Sequence, residues 1–444
     1  MTITKVKINL YKSIKKPVVL DLHDINIIIG QNNSGKSNIL DAIEFALTDS
    51  KTESHIYYAK ADIELDFRFT DNEQLKYEFP TSEAVFNLKK GTRELTFDKK
   101  TIPYNRTLAS ILSSSFKRLN ERAFLDTNQI ENDFHSLFNY PENLAKFRES
   151  LQHHFPKVSA TENALDINYE HEGLYEGERR VTIDRIGSGF RRIFTTLLYI
   201  FHPQYSMVLI DEPEIHLHPA MVKKLLWAMQ NSQAGQIFFT THSPLFITPV
   251  TLIQLIRVVK NEEGTQVFGL GKNNINHQRL IQELNADNLE MFFTDKVILV
   301  EGVSDRILLR GLIDRFYKGH RDLKVIETHG KGNMLIFVKL LRVFNIPFAV
   351  ILDWDAIKTN HLRDLVYNLN IKLPPMTEQE FMQELKKFDI YIFPNGDLEA
   401  NYPRKYQQRE DSKTLSALKA ARSITEHDFN SKPMFNLREI INNL

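Results

Sequence analysis

The sequence predicts an α/β protein that is built from two units, each containing a largely parallel sheet. In the first half, apolar runs at residues 27–29, 207–210 and 236–239 each end in polar residues. In the second half, runs at residues 297–300 and 347–352 end in carboxylates. Apolar residues at helical spacing follow several of these runs, as expected for strand–helix–strand units whose strands lie parallel.

Length and composition indicate a globular protein of two or three domains. The chain has 444 residues, of which 42% are hydrophobic and 25% are charged. Its 56 basic and 56 acidic residues balance, so a surface coated in positive charge is excluded, while a local basic groove is not. The chain has no cysteine, its first ten residues resemble a strand rather than a secretory signal, and its apolar runs are too short to span a bilayer. We therefore expect a cytoplasmic protein rather than a transporter.

A phosphate-binding loop follows the first apolar run. Gly30-Gln-Asn-Asn-Ser-Gly-Lys-Ser37 meets the P-loop pattern at every required position, and a helical pattern begins directly after it. Lys36 is expected to reach the β and γ phosphates of ATP, and the Ser37 hydroxyl to bind the nucleotide's Mg²⁺. The predicted nucleotide contacts in this segment are Gly30, Asn32, Asn33, Ser34, Gly35, Lys36, Ser37 and Asn38.

Two later strand ends complete the predicted ATP site. The run at residues 207–210 is followed by Asp211 and Glu212, and the run at residues 236–239 leads to His242. The carboxyl ends of parallel strands are where open α/β sheets bind ligands. We expect Asp211 to hold Mg²⁺ through water, Glu212 to polarise the attacking water and His242 to contact the γ-phosphate.

The second half contains a candidate metal site made of carboxylates. Glu301 follows one buried strand pattern, and Asp353 and Asp355 follow another. Residues two apart in an extended chain point to the same side, so the two aspartates are expected to face Glu301 together. Such an oxygen-rich cluster suits Mg²⁺ or Mn²⁺, and two such ions would stabilise both the attacking and leaving oxygens of a phosphodiester.

The first half resembles the ABC-type ATPase heads of the SMC and RecF class, and more narrowly those of the overcoming lysogenization defect (OLD) family. The resemblance is carried by residues 30–37, by Ile210-Asp-Glu-Pro-Glu-Ile-His-Leu-His-Pro219 and by Thr240-Thr-His-Ser-Pro244. It identifies residues 185–190 as a signature loop, in which Ser188 would cap ATP held by another copy. It thereby implies a homodimer or higher homo-oligomer. The resemblance also implies a glutamine loop, whose position is not assigned; Gln129 is one candidate.

The second half resembles the TOPRIM domain of topoisomerases, primases and OLD nucleases. This resemblance is carried by Glu301-Gly302, by residues 330–333 and by Asp353-Trp-Asp355. It adds Asp305 to the metal ligands, and it points to Glu399, in preference to Asp397, as a further one. It also implies a lysine that steadies the cleaved phosphate, for which Lys432 is preferred over Lys413 and Lys419.

Together these resemblances imply an ABC-type ATPase head in residues 1–285, with an insertion at about 51–178 that forms a dimerisation or arm region, and a TOPRIM nuclease domain in residues 290–444. They imply an ATP-regulated, divalent-metal-dependent DNA endonuclease of anti-phage defence, acting with a partner protein or nucleic acid. Two alternatives stay open, a DNA clamp or repair scaffold that does not cut and an ATPase that signals to a separate effector. The candidate DNA phosphate contacts, each also consistent with a solvated helix face, are Lys117, Arg118, Arg122, Arg306, Arg310, Arg315, Lys318, Arg321 and Lys324.

Overall fold

The structure, a computed structural model, divides the chain into two units. Unit 1 is Met1–Gly271 and unit 2 is Lys272–Leu444. The predicted domain bounds, 1–285 and 290–444, stay a prediction, and both ends of the predicted insertion, near 51 and 178, lie outside the described residues. The described residues are 1–48, 60–98, 100–156, 158–160, 167–169, 179–181, 183, 186–271, 283–285, 287–394, 396–406 and 413–444.

Unit 1 contains strands in three sheets and helices between them. Its described strands are β1 (Thr2–Asn9), β2 (Val18–Asp21), β3 (Ile25–Ile29), β4 (Asp62–Arg68), β5 (Glu83–Lys89), β6 (Thr92–Phe97), β7 (Lys100–Pro103), β8 (Phe116–Leu119), β9 (Val158–Ala160), β10 (Ile167–Tyr169), β11 (Arg179–Val181), β12 (Met207–Asp211), β13 (Gln236–Thr241), β14 (Leu255–Asn261) and β15 (Gly264–Gly269). Its described α-helices are α1 (Lys36–Leu47), α2 (Asp71–Tyr77), α3 (Arg106–Ser114), α4 (Glu121–Leu125), α5 (Thr127–Leu137), α6 (Pro141–His154), α7 (Ser188–Phe201) and α8 (Pro219–Gln230).

The predicted parallel sheet of unit 1 is confirmed. Its strand order is β15-β14-β3-β13-β12-β8, and every neighbouring pair is parallel except β14 and β15. All residues of β3 and β13 are buried, which explains why these strands are continuous apolar runs rather than alternating ones. Because parallel strands all end at the same edge, the residues that follow β3, β12 and β13 lie close together there.

A second sheet of unit 1 is antiparallel and has the order β2-β1-β4-β5-β6-β7. Its buried residues, such as Val6, Leu65 and Phe86, share one hydrophobic core with Ile39 and Ile43 of α1. Strands β4 to β7 belong to the segment that we predicted to be an insertion, so this part of the segment completes the sheet beneath the P-loop helix. A third, three-stranded antiparallel sheet has the order β11-β10-β9.

Unit 2 is built on a four-stranded parallel sheet, as the sequence predicts. The order is β17-β16-β18-β19, and a core of residues from the sheet and the surrounding helices, including Ile298, Leu309 and Ile441, packs on it. The strands are β16 (Lys296–Val300), β17 (Leu323–Glu327), β18 (Phe348–Leu352) and β19 (Ile390–Ile392). The described α-helices are α9 (Val303–Phe316), α10 (Lys331–Val343), α11 (Asn360–Asn368), α12 (Glu378–Lys386), α13 (Lys413–Ser423), α14 (Glu426–Phe429) and α15 (Phe435–Asn443).

Across the described part of the chain, no helix combines the length and the apolar character that crossing a membrane requires.

A buried carboxylate joins α5 to β8 and α7 in unit 1. Asp133 accepts hydrogen bonds from the Tyr199 hydroxyl at 2.6 Å, from Gln129 Nε2 at 2.9 Å and from Lys117 Nζ at 3.1 Å. Burial alone would raise the pKa of Asp133, but the Tyr199 hydrogen bond and the charge of Lys117 outweigh it and lower this pKa. The carboxylate is therefore held in its charged form and compensates a largely buried lysine.

We expect the change Asp133→Asn to destabilise the protein by about 2–4 kcal/mol, because Lys117 loses its counter-charge in a buried place. Urea unfolding measures this loss. The group's folded pKa is lowered, so its stabilisation is complete above the unfolded pKa of about 3.9 and is lost as the pH falls through the folded value. The difference between variant and wild type should accordingly shrink in acid. The control is Glu149→Gln, which alters an exposed residue of α6. We expect it to change the free energy of unfolding by less than about 0.5 kcal/mol.

Candidate functional site

The P-loop lies between the end of β3 and the start of α1. Gly30 and Gly35 have positive φ angles of 153° and 106°, and a Cβ on Gly30 would lie 2.2 Å from the carbonyl oxygen of Val258. This turn therefore requires glycine. Lys36 Nζ donates to the carbonyl oxygens of Gly30 and Gln31, both at 2.9 Å, so the amine lies inside the loop whose amides would surround a phosphate.

The remaining predicted loop residues divide into exposed and packed ones. Asn32 and Asn33 are exposed at the tip of the loop, whereas Ser34 is buried. Asn38 Nδ2 donates to the Ser13 hydroxyl at 2.6 Å, which ties α1 to the loop after β1.

Burial lowers the pKa of Lys36 to about 8, although the negative charges of Glu212, Glu214 and Asp211 act to raise it.

Asp211 ends β12 beside the start of α1. Its carboxylate accepts a hydrogen bond from the Thr240 hydroxyl at 3.1 Å, and the nearby Ser37 hydroxyl acts to lower the pKa of Asp211, so the structure brings together the two residues predicted to hold the nucleotide's Mg²⁺. Arg118 Nη2 also donates to this carboxylate. Burial raises the pKa of Asp211, and the charge of Arg118 opposes that rise.

Glu212 and His242 meet at the ends of β12 and β13. His242 Nε2 lies 3.3 Å from Glu212 Oε1, and Glu212 has a positive φ of 46°. Burial, followed by the positive charge of Lys36, lowers the pKa of His242, so its ring is neutral near pH 7. Sequence reasoning missed Glu214, which accepts hydrogen bonds from the Thr241 hydroxyl at 2.7 Å and from the His242 amide at 2.8 Å. The sequence does contain a sign of this role, because Glu214 is a further acidic residue in Asp211-Glu-Pro-Glu214, directly after a strand.

The predicted signature segment lies at the start of α7. Gly187 precedes the helix and Ser188 begins it, and both are exposed. A Cβ on Gly189 would lie 2.6 Å from the carbonyl oxygen of His216, so glycine permits this close approach to the segment after β12. Arg185, the first residue of the predicted loop, lies outside the described residues.

Two basic residues that we considered as DNA contacts or as a solvated helix face are neither. Lys117 and Arg118 are neighbours on strand β8, and each of them is paired with a carboxylate within unit 1. Lys117 is paired with Asp133 at 3.1 Å, and Arg118 is 9% exposed and bound to Asp211. The glutamine-loop candidate, Gln129, uses its side chain amide to bind the same Asp133.

The carboxylates of unit 2 form the predicted cluster. Glu301, after β16, and Asp353 and Asp355, after β18, each offer an oxygen within 4.8 Å of the others. The Asp353 amide donates to Glu301 Oε1 at 3.2 Å and so fixes one edge of the cluster. Lys331, at the start of α10, binds Asp355 and lies 3.6 Å from Glu301 Oε2. This lysine was not predicted, since the sequence shows it only as part of a glycine-rich turn.

Further acidic residues surround this cluster. Asp305 Oδ2 accepts from the Gly302 amide at 3.0 Å, and burial, then the charges of Asp353, Glu301 and Glu399, raise the pKa of Asp305 to about 7. Burial, then Asp397 and Asp355, raises the pKa of Asp353 to about 6. The structure therefore places all the predicted metal ligands of unit 2 in one electrostatic neighbourhood, together with Asp397.

Of the three lysines considered for the cleaved phosphate, Lys413 forms ion pairs with two of these surrounding carboxylates. Its Nζ lies 3.0 Å from Asp397 Oδ2 and 3.6 Å from Glu399 Oε2. Lys432 begins a 3-10 turn, and within the described residues it forms no ion pair. The preference for Lys432 over Lys413 and Lys419 stays a prediction.

Most of the basic residues along α9 and β17 are bound to protein acceptors rather than free for DNA. Arg306 and Lys324 both contact Asp287, at 2.6 and 2.8 Å. Arg315 and Arg321 donate to main-chain carbonyl oxygens. Arg310 and Lys318 are exposed. Arg315 and Arg321 are exposed as well, so of these candidate DNA contacts only Arg306 and Lys324 are taken up by acidic side chains.

Two family models match the chain. A model described as "AAA domain, putative AbiEii toxin, Type IV TA system" matches residues 25–248, and a model described as "Overcoming lysogenization defect protein-like, TOPRIM domain" matches residues 292–355. The first covers half of the chain and includes the P-loop, Asp211 and His242, while the second includes the carboxylate cluster. Fold and site thus define a P-loop ATPase joined to a TOPRIM domain. The protein belongs to the OLD family.

The chain is similar to several named relatives at low identity. The chain is 27% identical over 212 residues to an OLD nuclease of Thermus scotoductus, covering 44% of this chain and 39% of that protein. It is 22% identical over 277 residues to the Old nuclease of Escherichia phage P2, covering 48% and 46%. It is 22% identical over 372 residues to endonuclease GajA of Bacillus cereus, covering 74% and 51%. The chain thus spans less than half the length of the first two relatives.

Among solved structures, the chain is similar to an SMC head bound to the C-winged helix domain of ScpA. The TM-score is 0.47 at 19% identity, and the match covers 62% of this chain and 98% of that one.

We expect unit 2 to bind Mn²⁺ or Mg²⁺ and the change Asp353→Asn to weaken this binding by at least about tenfold, because one carboxylate of the cluster is lost. Calorimetric titration of Mn²⁺ measures the affinity. The change Asp364→Asn, which alters an exposed carboxylate of α11, is the matched control. Equal affinities in wild type and Asp353→Asn would show that the cluster is not the metal site.

Proposed function

We propose that this chain is an ATP-regulated, divalent-metal-dependent DNA endonuclease. The observation that carries the proposal is the approach of Glu301, Asp353 and Asp355 to within 4.8 Å at the carboxyl ends of two neighbouring parallel strands. Like charges held this close, on a partly buried edge, favour a bound cation. The names of the nuclease relatives support the same chemistry.

The donor set fits Mg²⁺ or Mn²⁺. The three close ligands are all carboxylates, which hard divalent cations prefer, and the chain has no cysteine that would favour zinc. When bound, such ions polarise a phosphodiester and lower the pKa of a coordinated water. Glu301, Asp305, Asp353, Asp355 and Glu399 would hold them. Lys331, and with it Lys413 or Lys432, would balance the charge of the cleaved phosphate.

The residues of unit 1 are arranged to bind and hydrolyse ATP. Lys36 would exchange the carbonyl oxygens of its own loop for the β and γ phosphates, and Ser37 and Asp211 would hold the accompanying Mg²⁺. Glu212 would orient the attacking water, and its contact with His242 at 3.3 Å positions it. A neutral His242 can donate one hydrogen bond to the γ-phosphate without adding charge.

The exposed signature segment supports an arrangement in which two copies share their nucleotides. Gly187 and Ser188 lie at the N-terminus of α7, where backbone amides point outward and favour an anion. We propose that Ser188 of one copy caps ATP bound to the P-loop of another. The resulting homodimer, or a higher oligomer, would control access of DNA to the carboxylates. Kinship with the OLD family supports a place in anti-phage defence, beside a further protein or nucleic acid.

We expect purified protein to nick plasmid DNA in Mg²⁺ or Mn²⁺, and the double variant Asp353→Asn/Asp355→Asn to lose at least about a hundredfold in rate, because the metal-dependent stabilisation of the transition state is worth several kcal/mol. Gel analysis of supercoiled, nicked and linear plasmid measures the rate. Chelation of the metal should have the same effect as the double variant.

Two variants separate regulation from chemistry in this assay. The change Lys36→Ala should alter how nicking depends on ATP but leave the carboxylates able to cut, whereas Asp364→Asn should behave as wild type. If wild type and the double variant are equally inactive with both metals and in all nucleotide states, the nuclease proposal is wrong. DNA binding that depends on ATP would then favour a clamp that does not cut.

We expect the hydrolysis-deficient change Glu212→Gln to accumulate ATP-bound dimers, since nucleotide stays trapped between the heads. The further change Ser188→Arg should return this variant to smaller species, because a long side chain blocks the exposed segment. Light scattering after gel filtration, with and without ATP, measures the mass. The same mass for both variants under both conditions would contradict a shared nucleotide site.

A further inference from the structure

Arg118 lies where a cation of the ATP site is expected. On the parallel pair β8 and β12, Arg118 is opposite Leu209, two residues before Asp211. Because side chains alternate along a strand, Arg118 and Asp211 lie on the same face of the sheet, which is the face that α1 covers. Arg118 is 9% exposed, so its guanidinium is buried beside these residues rather than in solvent.

Three carboxylates surround the guanidinium. Arg118 Nη2 binds Asp211 Oδ2, and it also donates to Asp41 Oδ1 at 3.1 Å. Arg118 Nε lies 3.6 Å from Glu44 Oε2. Asp41 and Glu44 lie on α1, one and two turns after Ser37. The arginine therefore bridges the predicted Mg²⁺ carboxylate to a pair of acidic residues on the P-loop helix.

The contact with Asp211 competes with the Mg²⁺ of a bound nucleotide. An oxygen that accepts a charged hydrogen bond from a guanidinium is a weaker acceptor for a water on Mg²⁺, and two cations on one carboxylate repel each other. Both effects are strong here because Asp211 and Arg118 are largely withdrawn from water, which would otherwise screen them.

The arginine has space and partners on the side away from Asp211. A cavity of about 610 Å³ begins at Asp211 and runs along α1, and Arg118 lines it. Asp41, Glu44 and Glu121 line the same cavity. A guanidinium that leaves Asp211 therefore remains paired with carboxylates and does not become an unpaired buried charge, which would be costly.

We propose that Arg118 is a positioning residue that binds Asp211 in the nucleotide-free protein and that leaves Asp211, while it stays paired with Asp41 and Glu44, when Mg²⁺-ATP binds. The proposal rests on the proposed function only in requiring that unit 1 binds ATP. It makes Mg²⁺, rather than ATP alone, the ligand that displaces the arginine. Strand β8 leads directly to Asn120, which caps α4 by accepting from the Ala123 amide at 3.0 Å.

The test compares ATP binding over a range of free Mg²⁺ concentrations, with a fluorescent ATP analogue as the probe. In Arg118→Met, which removes the charge but keeps much of the length, the Mg²⁺ concentration for half-maximal binding should fall at least about fivefold. Asp41→Asn removes one of the two carboxylates that keep Arg118 paired after it leaves Asp211, so the same concentration should rise. Binding of the analogue in EDTA should be similar in all three proteins.

Two further variants separate the geometry of Arg118 from the general loss of a positive charge. Arg122→Met removes a positive charge from the same cavity and is expected to match wild type. Arg118→Lys keeps the charge but cannot bridge two carboxylates as a planar guanidinium does, so it should fall between wild type and Arg118→Met. Circular dichroism and thermal unfolding show that each variant is folded. Asp41→Asn tests the proposal independently if Arg118→Met does not fold.

The failure of this inference differs from the failure of the proposed function. If wild type binds the analogue through Lys36, so that Lys36→Ala does not, but Arg118→Met binds Mg²⁺-ATP less tightly, then Arg118 contacts the nucleotide itself and the inference is overturned. An unchanged Mg²⁺ dependence in both Arg118→Met and Asp41→Asn overturns it equally. If wild type binds no nucleotide, the proposed ATPase is wrong, and the inference falls with it.

Discussion

Both units of this protein depend on how negative charge is compensated at the carboxyl edge of a parallel sheet. Parallel strands bring their ends together, and in unit 1 these ends carry Asp211 and Glu212, while in unit 2 they carry Glu301, Asp353 and Asp355. Carboxylates that are close together and partly withdrawn from water raise one another's pKa and destabilise the fold unless a cation lies among them. The protein supplies that cation itself in both places, as Arg118 in unit 1 and as Lys331 in unit 2.

A cationic side chain of the protein differs from a bound metal ion, because it is present before any ligand arrives. It stabilises the nucleotide-free and metal-free fold, and it must also move or share its carboxylate when a divalent ion arrives. Lys331 is well suited to sharing, because Asp355 is exposed and the ammonium ends a flexible chain. Arg118 is held more firmly, since three carboxylates surround a buried guanidinium. Under the proposed function, ion binding at Asp211 would therefore require a larger rearrangement than ion binding beside Lys331.

The sequence predicts where the acidic residues and Lys36 lie, but not where Arg118 and Lys331 lie. Asp211, Glu301 and Asp353 directly follow apolar runs, so local pattern and sheet geometry together place them. Arg118 lies on a strand of four residues, Phe116–Leu119, whose two adjacent basic residues resemble an exposed helix surface in the sequence. Its position beside β12 depends on tertiary structure, which a local sequence pattern does not predict. Lys413 and Lys331 likewise meet their carboxylates only through folding. The antiparallel sheet could not be predicted in full, because four of its six strands lie in a segment that seemed to be an insertion.

The burial of Asp305 argues for a working metal site over a scaffold that binds DNA without cutting it. Positive charge that holds DNA would serve a nuclease and a scaffold alike, so the acidic residues are what separate the two. A scaffold has no need for a carboxylate placed in the field of Asp353, Glu301 and Glu399, where repulsion and burial both destabilise the charged form. A helix N-terminus favours negative charge at this position, but one amide from Gly302 does not offset that repulsion. The arrangement is physically reasonable when a divalent cation binds there, since the same repulsion then becomes affinity for the ion.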